Sequence, residues 1–208
     1  MNPTLDGAAG VRLALPGDEE DIFALLTMLH AENGFFAMAP QKVRAVIRCA
    51  ISRVPDPTGA LGMVGVIEKD GRVAGTIGLF IGQDWHTDDW ALAERWNFVH
   101  PDYRKTDFAK QLIAFAKSCQ EWFETSGHTM PLVVGIFSTV RTAAKVRLYS
   151  RWLPPAGAFF IYGKTSRQPA DAQSTTAIPA KASVAPRPDA NGSTLKPRSM
   201  PSPGTARH

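Results

Sequence analysis

The densest run of chemistry-bearing residues is Asn97-Phe-Val-His-Pro-Asp-Tyr-Arg-Lys-Thr-Asp-Phe-Ala-Lys-Gln-Leu-Ile113. An apolar stretch stops at Pro101, the chain turns through Tyr103-Arg104-Lys105-Thr106, and a helical pattern begins at once. The first amides of a helix have no intrahelical acceptors and lie at the positive end of its dipole. With Arg104 and Lys105 alongside, they form a site for a phosphate or diphosphate. The same residues also fit a plain helix start with two solvated cations. His86, Asp88 and Asp89 lie in a polar loop that either touches a substrate or is only solvated. His100, in the turn before Pro101, receives no role. Cys49 and Cys119 fall inside apolar helical patterns, as small buried hydrophobes of a reducing compartment do. Neither CxxC pairs nor clustered His/Cys spacings occur, so no metal site is expected.

The elements that must position these residues follow from periodicity. Val11, Leu13 and Leu15 alternate as a short strand over 11–15. Asp18 is placed to cap a helix with Glu19, Glu20 and Asp21 in its first turn and Ile22, Leu25, Leu26 and Leu29 on one face. Asn33-Gly34 closes it. A second helix follows Pro40, with Val43, Val46, Ile47, Ala50 and Ile51 on one face, and is ended by Pro55 and Pro57. Met63 to Glu68 and Arg72 to Ile81 are strands joined at Asp70-Gly71, a type I′ hairpin signal. Trp90 to Val99 is a third long strand, whose strict alternation sets Ala91, Ala93, Arg95, Asn97 and Val99 opposite Leu92, Glu94, Trp96 and Phe98. A helix over about 106–125 carries Phe108, Leu112, Ile113, Phe115, Cys119 and Phe123 on its apolar stripe. Leu132 to Phe137 is expected as a strand buried on both faces. A helix capped by Ser138 or Thr139 runs from Val140 to Trp152, and Ala158 to Tyr162 forms a last strand. The Trp85, Trp90 and Trp96 group suits core and rim packing. The order β-α-α-β-β-β-α-β-α-β is an α/β domain with a mixed sheet.

Charge divides the chain of 208 residues. The net charge is +4, and residues 165–208 hold six basic and two acidic side chains, so the whole excess lies there and residues 1–164 are neutral by count. That stretch has seven prolines and no aromatic residue, and is expected to be a disordered tail. Its scattered cations without aromatics argue against a nucleic-acid site. With no run of 18 apolar residues and no signal-peptide pattern, a cytoplasmic protein without membrane contact is expected.

The central segment resembles the acyl-CoA motif of the GNAT N-acetyltransferase superfamily: an apolar strand, Val-x-Pro-x-Tyr-Arg, Gly-x-Gly/Ala, then a helix with paired aliphatics. Here it reads Val99-x-Pro101-x-Tyr103-Arg104, then Asp107-x-Ala109, then Leu112-Ile113. The element order from Val11 to about residue 163 is similar too. The resemblance implies a GNAT-like acyl-CoA N-acyltransferase fold, with a mixed, mostly antiparallel central sheet flanked by helices. Its boundaries are a flexible N-terminus 1–10, a domain 11–164 and the tail 165–208.

It further implies acetyl transfer from acetyl-CoA, as cosubstrate, to an amine on a small molecule or a protein, with a homodimer as one assembly. The backbone of Phe98 and Val99 would bind the pantetheine arm. The amides of Lys105, Thr106, Asp107, Phe108 and Ala109, with Arg104, would hold the diphosphate. Tyr149 stands where the family often has a tyrosine acting as acid toward the thiolate; it also fits an aromatic on an amphipathic helix. Glu94 stands about where several members carry a glutamate base, with water as the other base and an ordinary strand residue as the bland reading. Asp107 replaces the first motif glycine, and its carboxylate would repel a diphosphate unless turned outward or used as a cap. Members with a polar residue there include divergent and phage-encoded forms. Thr142 stands where the family usually has asparagine, and the stretch Leu153 to Phe159 only approximates its Gly-Phe. A GNAT-like binding or structural module without catalysis is therefore the alternative.

Overall fold

The structure is a computed structural model that describes residues 10–84, 86–136, 138 and 140–157. The N-terminal residues 1–9, the expected last strand 158–162, the tail 165–208, and Trp85, Phe137 and Thr139 lie outside the described residues.

The elements are β1 (Arg12–Leu13), α1 (Glu19–Asn33), α2 (Pro40–Ser52), β2 (Leu61–Lys69), β3 (Arg72–Gln83), β4 (Trp90–Val99), α3 (Phe108–Thr125), β5 (Leu132–Val134) and α4 (Thr142–Tyr149). Short 3₁₀ turns at Pro16–Asp18 and Pro101–Tyr103 precede α1 and α3. The strands form one sheet in sequence order, antiparallel except for the parallel pair β4–β5. At the β2–β3 turn Asp70 and Gly71 have φ of 54° and 75°. A type I′ turn needs both values positive, which is why that dipeptide marks it.

Helices cover both faces of the sheet. On one face Ile22, Leu25 and Leu26 of α1 and Ile47 and Ala50 of α2 pack on Val64, Val66, Phe80, Trp96 and Phe98. On the other, Leu112, Phe115, Ala116 and Cys119 of α3 pack on Ile77, Leu79, Leu92 and Val99. Each large apolar side chain fully removed from water contributes about 1.5–3 kcal/mol. Burial pushes the Cys119 thiol up to about 12, so it is an inert core group, whereas Cys49 is only half-buried.

Several boundaries differ from the sequence reading for identifiable reasons. Asp18 stands at the N-cap of α1 without capping it. Its carboxylate instead takes both Arg12 guanidinium nitrogens and the Leu15 amide at 2.7–3.0 Å, tying β1 to the turn. Helix α2 ends before the prolines, at Arg53 in the left-handed conformation. Strand β5 is three residues long, lies at the edge of the described sheet and leaves Val133 half exposed, so it is not buried on both faces. Helix α4 begins at Thr142, because Arg141 at φ 57° interrupts the helical path that residues 140–152 were expected to follow.

Candidate active site

Strand β4 departs from strict alternation, and the site depends on that departure. Gly78 of β3 pairs with Trp96, but the next residue, Leu79, pairs with Glu94, leaving Arg95 as an extra residue in a bulge. Leu92 and Val99 consequently face α3, whereas Trp96 and Phe98 face α1 and α2. Glu94 and Asn97, on opposite faces in an unbroken strand, both reach the same hydroxyl. Gly78 admits the bulge closely: a Cβ there would sit 2.4 Å from the Trp96 ring. Arg95 turns to the α1–α2 side, pairs with the fully buried carboxylate of Asp56 and lies 4.0 Å over the Phe80 ring.

The bulge also opens the sheet. The parallel ladder between β4 and β5 ends at Glu94 and Val134, and beyond it a cleft of about 430 Å³ opens between the strands. Glu94, Asn97, Val99, Arg104, Lys145 and Tyr149 are among its walls. The Tyr149 hydroxyl donates to the Glu94 carboxylate at 2.7–2.9 Å and accepts from Asn97 Nδ2 at 3.0 Å. Burial pushes Glu94 up to about 7, an effect that hydrogen bonds from Tyr149 and Asn97 partly offset. Burial and the Glu94 charge push Tyr149 well above the ordinary phenol value. Near neutral pH the pair therefore holds a protonated phenol beside a carboxyl group divided between its two forms.

Backbone geometry marks which β4 amides face the cleft. The His100 amide bonds to Ala74 O at 2.9 Å. Alternation in an antiparallel pair then turns Phe98 toward β3 as well, and points the polar backbone groups of Asn97 and Val99 to the open edge. The Phe98 ring is buried, with the Arg104 guanidinium 5.4 Å above it.

At the mouth of the cleft, α3 starts at Phe108, two residues later than its pattern indicated. Thr106 bonds through its amide and hydroxyl to Tyr103 O, and its oxygen accepts the Phe108 amide. The amides of Lys105, Asp107 and Ala109 have no acceptor among the described residues. Ala109 lines the cleft, and Lys105 is exposed. The Asp107 carboxylate is turned outward and accepts from Gln111 Nε2 at 2.8 Å. Arg104 is held by Glu32 of α1.

Residues 61–152 match the family model described as an acetyltransferase (GNAT) domain. The stretch from β2 to α4 is therefore similar to a GNAT acetyltransferase domain. The matched segment runs from β2 through α4 and includes the bulge, Glu94 and Tyr149. Solved structures share its fold. AAC(6′)-Iy in complex with the bisubstrate analogue CoA-S-monomethyl-acetylneamine is 17% identical, with a TM-score of 0.55 over 74% of this chain and 96% of that one. An integron cassette protein from the mobile metagenome of Cole Harbour Salt Marsh is 20% identical, at 0.51 over 78% and 94%. Ribosomal-protein-alanine N-acetyltransferase from Brucella melitensis biovar Abortus 2308 is 16% identical, at 0.50 over 74% and 98%. No curated protein sequence matches the chain.

Around this cleft, sequence reasoning missed three features. Asn97 joins the Tyr149–Glu94 pair; a lone amide among the apolar residues of β4 was its only signal. The bulge was foreshadowed by an isolated glycine, Gly78, inside a strand pattern. A third group, Asn33, Ser138 and Lys145, is assembled from α1, the chain after β5 and α4. Lys145 Nζ donates to Asn33 Oδ1 at 3.0 Å and to Ser138 Oγ at 2.8 Å, and burial lowers its pKa. His86, Asp88 and Asp89 lie outside this cleft, Trp96 is core, and Trp90 is half exposed. No helix among the described residues is long and apolar enough to cross a membrane.

Proposed function

We propose that the protein is an N-acetyltransferase that moves the acetyl group of acetyl-CoA to a primary amine by direct attack. The observation that carries this reading is the Asn97–Tyr149–Glu94 constellation inside an open cleft beside the N-terminus of α3. An alkylamine is mostly protonated at neutral pH and must lose a proton before it can attack. Glu94, directly or through a water, accepts that proton, and a carboxyl group poised near 7 suits the task. The amine nitrogen bonds to the thioester carbon and sheds its second proton to water, the tetrahedral intermediate collapses, and the carbon–sulfur bond breaks. The leaving thiolate takes the Tyr149 proton, and Glu94 returns its proton to the phenolate through their hydrogen bond, so the enzyme ends as it began.

Acetyl-CoA would lie along the open edge of β4, with its pantetheine arm on the backbone groups of Asn97 and Val99; the Phe98 backbone, expected to share that role, is turned to β3 instead. Its diphosphate would meet the amides of the 105–109 turn, where those of Lys105, Asp107 and Ala109 have no acceptor among the described residues, and the Arg104 side chain. Support comes from the outward turn of Asp107, which removes its charge from the approach, and from AAC(6′)-Iy, which shares the fold and has been solved with CoA. The domain is proposed to span 11–164, between a terminal segment 1–10 and the tail 165–208. The open cleft favours a transferase over a binding module. Calorimetry with acetyl-CoA, combined with amine-dependent release of CoA thiol, tests the reading. Absence of binding at high micromolar concentration overturns it.

A further inference from the structure

A second cavity, of about 560 Å³, lies on the α1–α2 side of β4. Phe35, Phe36, Met38, Val43 and Trp96 give it an apolar, largely aromatic wall. It shares Leu29, Arg95 and Trp96 with the cleft, so the two meet at the β4 bulge, next to Glu94.

Two features of its lining limit what it can hold. The first is charge. Among the described residues no carboxylate lines it, while the cations Lys42 and Arg95 do, and Arg95 already has its counter-ion in Asp56. A polycation placed there would meet like charge with no compensation. The second is a hydrogen-bond donor. Asn33 is 5% exposed and lines the cavity. Its Oδ1 accepts from Ser138 and from Lys145, and because an ammonium only donates, the amide orientation is determined. Its Nδ2 has no acceptor among the described residues. A buried donor without a partner is destabilising, and an oxygen on a ligand would satisfy it.

We propose that this cavity is the acceptor site of the transferase, and that the acceptor is a primary monoamine on an apolar, aromatic-sized body carrying a carbonyl or carboxylate oxygen for Asn33. The inference rests on the acetyltransferase reading above. The amine end passes the bulge to Glu94 while the apolar body stays between α1 and α2.

The test uses the full chain with acetyl-CoA and three probes: phenylalanine amide, phenethylamine, which lacks the oxygen, and the polycation neamine. CoA release should follow that order, with kcat/KM at least about tenfold higher for the first than the last, the equivalent of one lost charge or hydrogen-bond match. Phe36→Glu adds a carboxylate to the lining at a side chain that is 64% exposed, so folding is not at stake. It should raise KM for phenylalanine amide, lower it for neamine and leave acetyl-CoA affinity unchanged. If acetyl-CoA fails to bind, the transferase reading falls and takes this one with it. If acetyl-CoA binds but neamine is the better substrate, no probe turns over, or Phe36→Glu shifts neither KM, the acceptor class alone is overturned.

Discussion

The Tyr149 hydroxyl donates to Glu94 at 2.7 Å across 55 residues of sequence. Neither residue comes from a loop: Glu94 precedes a strand bulge and Tyr149 ends a short helix. The pairing makes the two groups one titrating unit, since each shifts the other. Changes to either should therefore be visible in the pH dependence as well as in the rate.

Tyr149→Phe removes the proposed acid and also a hydrogen bond that lowers the Glu94 pKa. Turnover should fall about 10²-fold or more, acetyl-CoA affinity should stay nearly constant, and the acid limb of the rate profile should move above its wild-type position near 7. Equal losses in turnover and cofactor affinity would mark a structural tyrosine instead.

Glu94→Gln should abolish the rise of activity with pH through about 7. It should also change stability in a defined direction. The folded pKa of about 7 lies above the ordinary 4.5, so the folded state retains a proton between those values that the unfolded state has lost. Stability from this group is present below about 4.5 and lost as pH rises through 7. Thermal unfolding should show the Gln variant gaining on wild type across that window; a constant difference from pH 4.5 to 8 contradicts the assignment.

Arg104 and Glu32 make opposing predictions. Arg104→Ala should weaken acetyl-CoA binding by about tenfold, the scale of one charge-assisted hydrogen bond, with turnover at saturation little changed. Glu32→Gln frees the guanidinium from its ion pair and should tighten binding. Titration calorimetry on both variants separates a cofactor contact from a purely structural ion pair, for which Glu32→Gln brings no gain.

Asp56→Ala tests the support of the bulge. Burial would raise this carboxyl, yet hydrogen bonds from Thr58, Arg95 and the Thr58 and Ala60 amides hold it at about 2. Removing it strands Arg95 in a partly buried site and should cost about 3 kcal/mol in urea unfolding, with a loss of activity. In the parent, the contribution of Asp56 is present above the ordinary 3.8 and lost as pH falls toward 2.

Much of the fold was legible in local pattern. Asp70-Gly71 specified its turn because few residues tolerate two successive positive φ values. The α3 stripe and the β4 boundaries followed from period and from Pro101. What the pattern misjudged were ends and interruptions. Asp18 has the chemistry of a cap, but Arg12 competes for its carboxylate. Strict alternation along β4 placed Glu94 and Asn97 on opposite faces, and one extra residue undoes that prediction.

The sequence alone determined the element order from β1 to α4, the basic turn at Arg104 and Lys105, and Glu94 and Tyr149 as candidates in an acyl-CoA-like frame. Those features depend on neighbours within one or two turns of chain. Only the tertiary structure decided that Glu94, Asn97 and Tyr149 converge, that Asp107 turns to Gln111, and that an apolar cavity meets the cleft at Arg95 and Trp96. Each depends on the register of β3 against β4 and on helices docking from distant parts of the chain. A one-residue change of register rotates every later side chain to the other face, and no local window of sequence contains the partner strand that sets it.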